Sequence, residues 1–348
     1  MYDIMKKRRI TVAVTIKEVA LLAGVSTATV SRVIHNHDRI SDSTKQVVRD
    51  AMSQLGYIPN AAASSLAGKN PKTIGIVLPN NPGELFKNPF FINAMRGISV
   101  YAQSKGYFLL YSFSRDEQEE IDFIQNYIRS GWVSGIILLA SREHDRCVEY
   151  LNSVSFPFVL IGRPEDPQHT YWVDNDNFQA MYQVVNYLID KGYRKIGFVG
   201  GPPTFRVTYD RMTGYRQAMN NRGFFPEDSM VFQGDDFSEE SGYLGAERLL
   251  TLNGLDAIAT TDDQLAFGVL EKLHKEHRED IAVTGFNNTV RGTYQHPGLT
   301  TVDVNADQLG ERAAQLLINL LEQQTSNHQI ITPNHYLVET QLIPRDTA

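Results

Sequence analysis

The chain has 348 residues, enough for two or three folded units at about 100–200 residues each, and its 42% apolar and 21% charged residues exclude a disordered, collagen-like or mucin-like chain. A single cysteine, Cys147, excludes an internal disulfide and a cysteine-built zinc site; no apolar run nears the ~18 residues that span a bilayer and no secretory signal opens the chain, so a cytoplasmic protein without membrane contact is expected. The net charge of −7 conceals an asymmetry, with 10 Lys+Arg against 5 Asp+Glu over residues 1–70 and 23 against 35 over the remainder, and a basic module ahead of an acidic body can still hold nucleic acid through its local field.

Residues 1–14, with the run Lys6-Lys7-Arg8-Arg9, read as a flexible leader: a solvated tail, the product of a start codon upstream of a natural start at Met5, or an arm that touches DNA. From Thr15 the pattern turns helical. Thr15 and Glu18 make a capping box, and Ile16, Val19, Ala20 and Ala23 share one face. Gly24 suits a left-handed helix end, and Ser26 caps a second helix whose apolar face is Val30, Val33 and Ile34. A third helix is predicted after Ser43, with Gln46 completing a capping box and Val47, Val48, Ala51, Met52 and Leu55 as its stripe. Residues 15–59 thus read as a small all-α domain. Segment 60–71 holds the Ala/Ser-rich run Asn60–Lys69, shorter than the ~12–15 residues an isolated helix needs, so it is predicted to be helical only when something packs on it.

Beyond Lys72, short apolar runs alternate with amphipathic helices: 73–79, 107–113, 135–140, 157–162, 172–175, 195–201, 256–261 and 281–286. Such alternation predicts an α/β core of parallel sheets flanked by helices, and its length suits two sheets.

The segment TIKEVALLAGVSTATVSRVI at 15–34 is a helix-turn-helix pattern. The second helix presents Thr27, Ala28, Ser31, Arg32 and His35, small near its start and longer further along, as close approach to a major groove requires. Together with LGYIPNAAASSLAGK at 55–69, this segment is similar to the signature of the lactose and galactose repressor family, and the two-lobed remainder resembles that family's periplasmic-binding-protein-like core. The resemblance implies that Thr27, Ala28 and Arg32 read base edges, that Thr15, Ser26, Thr29, Tyr57, Asn60 and Ala67 serve the backbone and hinge, and that Leu66 wedges into the minor groove. It divides the core into one subdomain of residues 72–172 and 305–331 and another of 173–304 and 332–348.

For the core the resemblance implies a small carbohydrate effector between the lobes, with Phe90, Phe91, Arg163, Arg211, Phe237, Asp262 and Asn287 as candidate contacts. These positions lie in loops after strands or in the first helical turns that follow, where ligands of such sheets sit. Asp262 also reads as a helix cap and Phe91 as a core residue. Val304 stands where many relatives carry glutamine, and the chain lacks the leucine heptads of the tetrameric lactose repressor, so a homodimer on palindromic operator DNA is expected. No dinucleotide, P-loop, nucleophile-elbow or zinc-protease motif occurs, so neither an enzyme, a cofactor nor a metal is expected, and His274 and His277 read as a solvated helix face. Elements such as NPFF, LIGRP and HPGLTTV resemble maltose-operon repressors and suggest maltose or a maltodextrin. Two alternatives remain open: a global regulator switched by a phosphoprotein corepressor, and a sugar-binding receptor without DNA function.

Overall fold

Capped helices and glycine turns between Thr15 and Tyr57, and buried apolar runs from Thr73, give two units divided after Pro71. The computed structural model describes residues 14–34, 39–57, 71–79, 88–324 and 333–348. Expectations for the leader, His35, Asn60, Leu66 and Ala67 lie outside the described residues.

In the first unit, helices α1 (Ile16–Ala23), α2 (Thr27–Ile34) and α3 (Asp42–Leu55) close on a core of Val19, Ala20, Val30, Val33, Val48 and Ala51. The turn between α1 and α2 needs the left-handed conformation at Gly24, φ 66°, where a side chain would be strained. The third helix departs from expectation. Ser41, in extended conformation, is its cap and accepts from Thr44 N at 3.3 Å, so Ser43 falls inside the first turn. Gln46 turns forward to Asp50 instead of back to a cap, and Val47 is half exposed.

The second unit carries two six-stranded sheets. One is built from β1 (Thr73–Leu78), β2 (Phe108–Phe113), β3 (Gly135–Leu138), β4 (Phe158–Ile161), β5 (Trp172–Asn175) and β11 (His335–Val338), in the spatial order β11-β5-β4-β3-β1-β2 and parallel throughout. The other holds β6 (Ile196–Gly200), β7 (Val231–Gln233), β8 (Ala257–Thr260), β9 (Ala282–Phe286), β10 (Thr300–Asp303) and β12 (Gln341–Ile343), ordered β12-β10-β9-β8-β6-β7, with only β12 antiparallel. Their strands are mostly buried on both faces, as parallel sheets between helices require.

This pairing corrects the expected subdomain limits. β5 bonds to β4 through Leu160–Trp172 and Ile161–Val173, so a boundary after residue 172 would cut a strand. β11 extends the same sheet along β5, so 335–338 do not belong with the second lobe; the chain from β12 onward does. The chain therefore crosses between lobes after β5, after β10 and between β11 and β12. Strand β7, three residues long, gave no legible pattern.

Helices α4 (Pro89–Ser104), α5 (Glu117–Ser130), α6 (Arg146–Ser153) and α12 (Ala306–Gln324) accompany the first sheet; α7 (Asn177–Asp190), α8 (Arg206–Asn221), α9 (Glu239–Leu249), α10 (Asp263–Lys275) and the short α11 (Val290–Tyr294) accompany the second. α12 returns to lie on α4, and the two backbones touch at Gly97 and Gly310, where an added methyl would overlap the carbonyls of Asp307 and Ala94. Among the described residues no helix is long and apolar enough to cross a membrane.

Candidate DNA-binding surface and ligand cleft

In the first unit the capping groups place α2. Glu18 accepts from Thr15 N at 2.7 Å and Thr15 Oγ1 at 2.9 Å, fixing the start of α1. Ser26 Oγ accepts from Thr29 N at 3.1 Å and lies 3.0 Å from Thr29 Oγ1, so these two expected phosphate contacts already hold the N-terminus of α2. Val30 and Val33 face the core; Thr27, Ala28 and Arg32 are exposed together on the opposite side, and Ser31 is half-buried beside them. An eight-residue helix rises about 12 Å, which places Arg32 roughly one turn beyond Ala28. Tyr57 is half-buried against the helical core, its N–H on Met52 O at 2.9 Å.

In the second unit the loops after the strands of both sheets converge on a cleft whose walls come from both lobes, the concave setting in which small molecules bind. Six of the seven expected effector residues line it: Phe90, Phe91, Arg211, Phe237, Asp262 and Asn287. The seventh does not. Gly162 takes φ 121° after β4 and Arg163 emerges exposed, its guanidinium 5.9 Å from the Trp172 ring centre and its carbonyl accepting from Ser141 Oγ at 2.7 Å.

Asn88 begins α4 ahead of Pro89. Its Oδ1 accepts from Phe90 N at 3.0 Å while its Nδ2 donates to Asp262 Oδ2 across the cleft at 3.0 Å, so one amide caps a helix of one lobe and binds a carboxylate of the other. Asp262 performs two tasks in turn. Its Oδ1 caps α10 by accepting from Gln264 N at 2.8 Å, and its Oδ2 also takes Asn287 Nδ2 at 2.8 Å. Burial pushes its carboxyl up to about 6, against the pull of these hydrogen bonds and of Arg211. Asn287 sits at φ 99°, a conformation a side chain rarely adopts, which turns its amide onto Asp262.

Arg211, only 5% exposed, is held by protein on three sides: Nε and Nη2 donate to Asn177 Oδ1 at 3.0 and 2.8 Å, Nη1 donates to Thr261 O at 2.6 Å, and the plane lies 4.0 Å from the Phe286 ring centre. Burial draws its pKa down to about 10, leaving it charged at neutral pH. Asn177 Nδ2 continues the chain to Asp174 Oδ1 at 2.9 Å, and burial pushes Asp174 up to about 7. Facing this polar floor are two edge-to-face aromatic pairs, Phe90–Phe91 in the first lobe at 5.3 Å and Phe205–Phe237 in the second at 5.7 Å. Phe90 and Phe91 also pack on the first lobe's core, so the core and cleft readings of Phe91 both hold. The loops after β3 and β6 join the lobes beside Phe205, with Glu143 N on Thr204 O at 2.9 Å and Arg206 N on Ser141 O at 3.0 Å.

Sequence reasoning did not single out Asn88, Asp174, Asn177 or Phe205. An Asn before Pro at a helix start and the run DNDN closing a strand were the available signals. Val304 is buried away from the cleft lining, its carbonyl accepting from Asn175 Nδ2 at 3.0 Å. His274 is exposed and paired with Glu279 at 3.0 Å, and His277 is exposed beside it.

Residues 15–60 match the family described as bacterial regulatory proteins, lacI family, and residues 185–348 match the periplasmic binding protein-like domain. The HTH-type transcriptional regulator MalR of Streptococcus pneumoniae serotype 4 is 37% identical over 321 residues, 91% of this chain and 95% of the relative. A solved complex of the transcriptional regulator CelR with cellobiose superposes with TM-score 0.74 at 28% identity, covering 96% of this chain and all of that one. The lac repressor dimer bound to operator and the anti-inducer ONPF shares the fold, with TM-score 0.79 at 23% identity over 96% of this chain and 99% of that one.

Proposed function

Since the chain belongs to the lacI family of bacterial regulatory proteins and is a DNA-binding transcriptional regulator, not an enzyme, we propose that it is a homodimeric cytoplasmic repressor of carbohydrate-use genes, released from a palindromic operator when a small sugar occupies the cleft. Two recognition helices related by a two-fold axis suit two half-sites. In each, Ala28 can meet a thymine methyl and Arg32 can fork onto guanine. Residues 60–71 would fold in the minor groove around Leu66 on binding, and effector closure of the lobes would undo that folding.

The observation that carries the sugar reading is the floor of the cleft: two hydrogen-bonded groups, Asp174–Asn177–Arg211 and Asn88–Asp262–Asn287, lie between two pairs of phenylalanine rings. Ring faces cover sugar C–H groups, and planar amides and carboxylates meet hydroxyls. The kinship with MalR and the cellobiose bound by CelR support a disaccharide, with maltose or a maltodextrin favoured.

The test selects duplexes bound by the full chain from a random pool, then titrates sugars against the bound complex by fluorescence anisotropy. Paired inverted half-sites and release by maltose or maltotriose are expected. Asymmetric single sites would refute the two-fold reading, and release by no sugar would refute the effector.

A further inference from the structure

Among the described residues lining the cleft, three side chains carry charge, Asp174, Asp262 and Arg211. The one cation is directed at protein: three of its N–H groups go to Asn177 Oδ1 and Thr261 O, and a ring covers one face. Above about pH 7 both acids are ionised, and two carboxylates against one cation then leave a local excess of negative charge, in a setting where charges are weakly screened. The two acids differ in how they are engaged. Asp262 uses both oxygens, for Gln264, Asn88 and Asn287. Asp174 accepts Asn175 N at 2.8 Å and Asn177 Nδ2 at 2.9 Å on the same atom, Oδ1, and neither bond uses Oδ2.

A sugar hydroxyl can donate to such an oxygen in a charge-assisted hydrogen bond. A phosphate ester brings only acceptor oxygens and a charge of the same sign, and its own desolvation would go uncompensated. We infer that the cleft selects uncharged sugars and rejects the phosphorylated form of the same sugar, with Asp174 as the specificity-determining carboxylate. This inference rests on the sugar reading above and deepens it.

The test is titration calorimetry of the full chain at pH 8, where Asp174 is ionised, with matched pairs, maltose and maltose 6′-phosphate, cellobiose and cellobiose 6′-phosphate. In whichever pair binds, the uncharged member should bind at least about tenfold tighter. Asp174→Asn keeps an oxygen where both hydrogen bonds fall, so it should narrow that ratio to about threefold or less, whereas Asn287→Ala should weaken both members in proportion. Equal or tighter binding of the phosphorylated member overturns the inference and leaves the sugar reading standing. If neither member of either pair binds, the sugar reading fails and the inference with it. An unchanged ratio in Asp174→Asn overturns the assignment to Asp174, and the wild-type comparison decides the charge selection even if that variant does not fold.

Discussion

Arg32 and Arg211 both follow short, polar helix starts, yet one is exposed on a three-helix unit and the other is 5% exposed in the wall of a two-sheet cleft. The exposed residue is presented by local sequence alone: a capping box, a glycine turn and a serine cap within twelve residues place α2 with its small and basic side chains outward. The buried one is placed by groups 34 and 50 residues away, Asn177 and Thr261. A surface that meets DNA can be written as a contiguous motif, whereas a pocket that meets a small molecule is assembled from strand ends distant in sequence and is stabilised by the polar groups that would touch the ligand. Changing an exposed contact should alter binding alone; changing a cleft residue should alter binding and stability together.

The sharpest way to break this contrast is Arg211→Ala. It leaves buried acceptors on Asn177 and Thr261 and removes the cation between Asp174 and Asp262, and should cost the core about 3–5 kcal/mol. Both tryptophans, Trp132 and Trp172, lie in the second unit, so urea unfolding followed by their fluorescence reports this loss directly. A loss under about 1 kcal/mol would place Arg211 among ordinary surface side chains. Arg32→Ala should do the converse, costing about 1–3 kcal/mol of binding to the selected duplex and relaxing one base position per half-site, with unfolding unchanged. Uniform weakening on all duplexes would make Arg32 a phosphate contact.

Ser26→Ala sharpens the comparison within the first unit. Loss of the cap on α2 should cost about 1 kcal/mol of local stability, read as faster amide exchange at Thr29 and Val30 in the full chain, with the second unit unaffected.

The smallest effect concerns pH. Burial pushes Asp174 and Asp263 up to about 7 and Asp262 up to about 6, so between about pH 4 and 7 the folded core holds protons that the unfolded chain has released. Stability from these acids is therefore present at low pH and lost as pH rises through that window. Urea midpoints should rise from pH 8 to pH 6, and the rise should shrink in Asp174→Asn; an identical slope in that variant would show Asp174 ionised throughout.

The same contrast governs what the sequence made legible. The capping pattern at Thr15, Gly24 and Ser26 involves neighbours three or four residues apart, and it is visible in one dimension. Asp262 and Asn287 follow directly on buried apolar strands and Arg211 lies in the helix after one, which made them legible. Arg163 follows one too, but a left-handed Gly162 turns the chain before the side chain can enter the cleft, and that conformation has no signature beyond the glycine. Asn88 owes its second role to a carboxylate 174 residues away, and β11 joins the first sheet through β5, about 160 residues earlier. Neither relation leaves a local mark.

The contact of α4 with α12 has a consequence for genetics. Neither Gly97 nor Gly310 lines the cleft, yet replacement of either by any side chain would force the two helices apart. A screen for constitutive expression should therefore recover these two glycines alongside Arg32, and the phenotypes would look alike on a plate. Abundance separates them: the glycine alleles should deplete the protein from the cell, and a lower growth temperature should restore repression, while the Arg32 allele should stay abundant and unresponsive at every temperature.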